Sequence, residues 1–117
     1  MTPVEFFSDQ PLAEQLYAAV RGAVGNIGPV DIRATKSQVA FRRQRTFAAV
    51  WRPSQYLAGT TAPLVLTIFL PRHIASPRWK QVVEPAPGRF THHLELHNAA
   101  EVDEEVRSWL RAAWDAA

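Results

Sequence analysis

Apolar residues recur at three- and four-residue intervals at the start of the chain: Leu12, Leu16, Tyr17, Val20 and Val24 fall on one stripe, the signature of a helix with one buried face. Ser8 or Asp9 is the expected N-cap, Pro11 sits in the first turn where its missing N–H costs nothing, and Glu14 lies near the positive end of the dipole. Gly25 and Gly28 supply the exit, so the helix is expected over 9–25. After Pro29 the period drops to two, and Val30–Thr35 reads as a half-buried strand. Gln38–Pro53 reads as a hairpin with its tip at Arg42-Arg43-Gln44-Arg45. A two-residue loop at Arg43-Gln44 would set Val39 opposite Ala48 and Phe41 opposite Thr46. Val39, Phe41, Ala48 and Val50 then share one face, and Arg42, Arg45, Phe47, Ala49 and Trp51 the other.

Leu64–Leu70 is the clearest strand, with Leu64, Leu66, Ile68 and Leu70 inward and Val65, Thr67 and Phe69 outward. A short strand is expected at Lys80–Glu84, a turn at Pro85-Ala86-Pro87-Gly88, and a last strand at Arg89–Leu96 with Phe90, His92, Leu94 and Leu96 toward the core. Asn98 and Glu101 have capping-box spacing and open a helix over 98–115, whose stripe is Val102, Val106, Trp109, Leu110 and Ala113. The pattern predicts one α+β domain over residues 1–117: a five-stranded antiparallel sheet with the terminal helices packed on one face.

Composition removes several function classes. The chain has no cysteine, which excludes disulfides, thiol nucleophiles and thiolate metal sites and suits a reducing, cytoplasmic setting. No window approaches the ~18 apolar residues of a membrane span. The five glycines never take the spacing of a phosphate-binding loop, and no serine has a nucleophile-elbow context, so no catalytic residue and no cofactor are assigned. His93, Glu95 and His97 would share one strand face, but alternation alone places polar residues there, so no metal site is expected.

Charge is segregated along the chain. Residues 1–29 carry one cation and three anions, 30–96 ten and three, and 97–117 two and five. Within the basic middle, Arg42, Arg43 and Arg45, supported by Lys36 and Arg52, are the candidates for gripping phosphates. Phe47 and Trp51 on the same expected face, with Phe69 adjacent, are candidates for base stacking or for the centre of a homodimer. A cleft collecting His73, Arg78 and His92 would instead suit a small molecule.

Three segments carry a likeness: Val39-Ala40-Phe41-Arg42-Arg43-Gln44-Arg45-Thr46-Phe47-Ala48, Pro87-Gly88-Arg89-Phe90-Thr91-His92, and the ending Val102–Trp114. With these the chain resembles the bacterial domain of unknown function 5655 family over roughly residues 10–116. The resemblance implies a small α+β domain and brings no established catalytic residues. Ala49 departs from a position that is often polar in that family, and the loop 53–63 is longer than usual. The function expected from the residues is a non-enzymatic binding or interaction module with nucleic acid as the leading partner. Small-molecule binding is the alternative and a small enzyme the rival class.

Overall fold

Alternating apolar and polar positions build one antiparallel sheet whose strands, described with the rest of residues 1–117 in a computed structural model, number six. They are β1 (Asp31–Ala34), β2 (Val39–Arg42), β3 (Thr46–Trp51), β4 (Leu64–Leu70), β5 (Gln81–Ala86) and β6 (Arg89–Leu96), ordered β1-β2-β3-β4-β6-β5 across the sheet. The expected count of five strands is corrected to six: Val30–Thr35, the two arms of the hairpin, Leu64–Leu70, Lys80–Glu84 and Arg89–Leu96 each contribute a strand, and all six pair in one sheet. Thr35 Oγ1 accepts the N–H groups of Ser37 and Gln38, and Thr35 N–H donates to the Gln38 carbonyl, turning β1 back onto β2. Both edges are unattractive templates for further pairing. β1 is short and carries an exposed Asp31–Arg33 ion pair, whereas β5 carries Pro85.

The basic hairpin has a longer loop than expected. Arg42 pairs with Thr46 across Arg43-Gln44-Arg45, with a bulge between Phe41 and Arg42. Phe41 therefore stands opposite Ala48, and Val39 opposite Val50 rather than Ala48. Without a glycine or asparagine to take the positive φ values of a two-residue hairpin turn, the chain adds a residue. The expected face assignment of Val39, Phe41, Ala48 and Val50 survives, because the bulge absorbs the extra residue.

Three helices accompany the sheet: α1 (Pro3–Phe6), α2 (Pro11–Gly25) and α3 (Glu104–Ala116). The helix expected over 9–25 is α2, and α1 is an additional short helix ahead of it; Asp9 at φ 60°, a left-handed conformation, separates the two. Neither Ser8 nor Asp9 then caps α2; its N-cap is Gln10, and Thr2 with Glu5 forms a capping box for α1 instead. At the other end the Asn98–Glu101 box closes a single 3-10 turn, and Asp103 starts α3 afresh by accepting the Val106 N–H. Leu16, Val20 and Val24 of α2 and Val106, Trp109, Leu110 and Ala113 of α3 are buried with the inward residues of β2, β3, β4 and β6 in one core. Leu12 lies outside the stripe and is exposed.

Trp114 clamps this layer to the sheet. Its indole N–H donates to the Pro29 carbonyl at 3.0 Å, and its ring lies 3.7 Å beneath the Arg43 guanidinium, which also donates to the Trp114 carbonyl at 3.0 Å. Gly28 packs so closely that a Cβ there would stand 2.6 Å from the Trp114 ring. Gly28→Ala is expected to lower stability by about 1–3 kcal/mol through overpacking. Gly22→Ala, in mid-helix with nothing within 4 Å of the added carbon, should raise it by about 0.4–1 kcal/mol. Urea unfolding of both variants checks the pair of signs.

Candidate functional site

On the sheet face away from α2 and α3, register brings together residues distant in sequence. β3 and β4 pair Ala49 with Thr67 and Trp51 with Val65, while β4 and β6 pair Thr67 with His93 and Val65 with Glu95. Thr67 is buried, so its hydroxyl needs partners within the protein. The Trp51 indole N–H donates to Thr67 Oγ1 at 2.9 Å, and Thr67 Oγ1 lies 2.8 Å from His93 Nδ1. An indole nitrogen can only donate, so Thr67 accepts from Trp51; its own hydroxyl proton has no acceptor other than His93 Nδ1, and donating it there satisfies the buried group in full. That donation makes the imidazole the neutral tautomer with its proton on Nε2, the ring edge that makes no hydrogen bond within the protein.

That histidine lines a pocket of about 280 Å³. Trp51, Pro53, Leu57 and Val65 give it apolar wall; Thr60, Thr61, Gln81, Lys80 and Glu95 give it polar groups. Lys80 Nζ is 3.4 Å from Glu95 Oε2, and the Lys80 N–H donates to the His93 carbonyl at 2.8 Å, which anchors the lysine beside the imidazole. The outer wall is the long loop after β3. Its 3-10 turn, Pro53–Gln55, is tied to the β1–β2 turn by Gln55 Nε2 donating to the Lys36 carbonyl and Tyr56 Oη to the Ser37 carbonyl. Tyr56 meets the Trp51 ring edge-on at 6.0 Å, as does His93. Sequence alternation marked Thr67 and His93 as outward-facing, but nothing in their spacing reported that they touch.

A second histidine belongs to the core. His92 is fully buried, and its Nε2 accepts the Ile74 N–H at 3.1 Å, which places its proton on Nδ1, an atom without a hydrogen-bond partner. Burial lowers the pKa of His92, opposed by the nearby carbonyls of Phe90 and Ile68 and reinforced by His73 and His93. Burial likewise lowers that of His93. Trp79 stacks at a tilt between His92 (4.7 Å) and Trp109 (4.2 Å), and its indole N–H holds the Ile74 carbonyl. His73 comes within 6.0 Å of the His92 ring, but Arg78 donates to Asp103, Glu105 and the Glu101 carbonyl, bracing the start of α3. His73, Arg78 and His92 therefore line neither of the pockets described here, and two of the three have structural work.

The five candidate phosphate-binding cations separate. Arg42, Arg43 and Arg45 stand at the hairpin tip, whereas Lys36 and Arg52 stand at the opposite end of the β2–β3 ladder. Arg43 is held on Trp114 and Arg52 lies 5.1 Å over the Phe6 ring. The aromatic patch is likewise smaller than alternation implied: Phe47, Ala49 and Val65 are buried within the chain, and only Trp51 and Phe69 are partly exposed. No three histidine, aspartate or glutamate side chains converge on a point where a metal ion would fit. His93 faces Thr67, Glu95 faces Lys80 and His97 lies 3.9 Å from Glu101. No helix is long and apolar enough to cross a membrane.

A family model described as Domain of unknown function (DUF5655) matches residues 4–117, and the chain belongs to that family. Neither the curated proteins nor the solved structures yielded a match.

The two depressed histidines set a pH dependence. Above the ordinary value of 6.5 both rings are neutral whether the chain is folded or not, and their stabilising contacts are fully present. Below it the unfolded chain takes up protons that the folded rings resist, so stability falls as pH falls toward the folded values. Urea midpoints measured from pH 8 to pH 5 should decline, and the decline should be shallower in His93→Gln, which has one fewer such group.

Proposed function

We propose that this domain is a non-enzymatic binding module for a small, planar, polar molecule, held in the open-face pocket against Trp51. The observation that supports it is the Trp51–Thr67–His93 chain, which presents one imidazole N–H in a fixed direction at a largely apolar wall. Pockets that bind small molecules combine such walls with a few oriented polar groups. The His93 Nε2–H would donate to a ligand carbonyl or ring nitrogen, and Glu95 beside Lys80 would accept from a ligand N–H. Trp51 supplies a flat surface at little entropic cost, since its indole is already hydrogen-bonded.

This reading is favoured over nucleic acid, the partner first expected, because the cations divide between two ends of a ladder and Phe47 is buried rather than available for stacking. For a homodimer through the same face, what remains exposed is the rims of Trp51 and Phe69.

Titration with nicotinamide, adenine and cytosine, followed by NMR, tests the proposal. At least one should shift the Trp51 indole and His93 ring signals saturably, and Thr67→Val, which unties the imidazole, should weaken it about tenfold. Shifts that avoid both side chains, or binding indifferent to Thr67→Val in a variant still folded by circular dichroism, would contradict it. Tight DNA or RNA binding that falls steeply with salt would restore the nucleic-acid function.

A further inference from the structure

A second pocket, also of about 280 Å³, lies at the end of the sheet where the hairpin tip, the β5–β6 turn and the last turn of α3 meet. Phe69, Leu70, Pro71 and Pro87 supply apolar wall, and Arg45 and Arg89 are its charged side chains. Neither arginine is in an ion pair. Arg89 lies 5.2 Å over the Phe69 ring, which positions its guanidinium without neutralising it. Two acceptors at this end of the molecule have other partners. Glu84 Oε2 accepts the Gly88 N–H at 3.1 Å, and the Trp114 carbonyl in the last turn of α3 is covered by Arg43. Gly88, at φ 71° in the turn after Pro87, brings the loop round without a side chain.

We infer that this pocket binds a small organic monoanion, a carboxylate on a compact apolar body, with Arg45 and Arg89 on the carboxylate and Phe69, Leu70 and Pro87 around the body. Charge complementarity selects the class. Two cations without partners over apolar wall attract an anion, and the wall discriminates against one with no hydrophobic part, such as inorganic phosphate. The site lies at the other end of the molecule from the lysine of the β1–β2 turn and does not share a residue with the open-face pocket, so it stands independently of the function proposed above.

Octanoate is the probe, with octanamide and inorganic phosphate as comparisons, in calorimetric and NMR titrations of the full chain. Octanoate should bind saturably and perturb Phe69 and Ala116, with octanamide and phosphate at least tenfold weaker. Arg45→Gln and Arg89→Gln should each weaken octanoate about tenfold, the loss of one charge-assisted hydrogen bond. Ala116→Phe, at an exposed position on the pocket rim, should block it, while Lys36→Gln should leave it unchanged. Equal binding of octanoate and octanamide, or equal weakening by Lys36→Gln and Arg45→Gln, would overturn the inference, as would the absence of saturable binding at millimolar concentration.

Discussion

Thr67 has one hydroxyl proton to give, and the organisation of the open sheet face follows from where it goes. The residue is buried at the centre of β4, between a tryptophan on β3 that can only donate to it and a histidine on β6 placed to receive from it. A buried hydroxyl left without partners costs about 1–3 kcal/mol, so both neighbours are held at once. One consequence is local: Trp51 is fixed as a wall and His93 as an oriented donor. The other is structural, because the chain ties three adjacent strands together on the face that the helices leave uncovered.

The two faces of the sheet are stabilised differently as a result. Toward α2 and α3 the layer is apolar and closed, with Trp114 and Arg43 fastening its far edge through an indole hydrogen bond, a cation over the ring and a capped carbonyl. On the other face, burial of Ala49, Val65 and Thr67 is combined with polar contacts that stop at the pocket rim. His92 and His93 are adjacent in β6 and so point to opposite faces; one is locked into the core by the Ile74 N–H and the other is held at the pocket.

Much of this was legible in the sequence where one physical signal dominated. β4 is an apolar run interrupted only by Thr67 and its inward and outward sets are as expected, and the stripe Val102, Val106, Trp109, Leu110 and Ala113 is buried residue for residue. The hairpin register was not legible, because Arg42-Arg43-Gln44-Arg45 contains no residue that specifies a turn type, and the bulge after Phe41 has no sequence mark. Nor was α1, the short helix that Asp9 at positive φ separates from α2. The candidate site was half visible. Thr67, His93 and Trp51 were outward-facing by alternation, but their meeting depends on β6 inserting between β4 and β5, and neighbours in space that are not neighbours in sequence leave no local pattern.

The most direct test of this account is the protonation state of His93 observed by nitrogen-15 NMR of the imidazole at neutral pH. Donation from the Thr67 hydroxyl predicts a neutral ring with the proton on Nε2 and Nδ1 accepting, titrating below the ordinary histidine value of 6.5. A His93 ring protonated on Nδ1, or one that titrates at the ordinary value and shows the same signals in Thr67→Val, would contradict it.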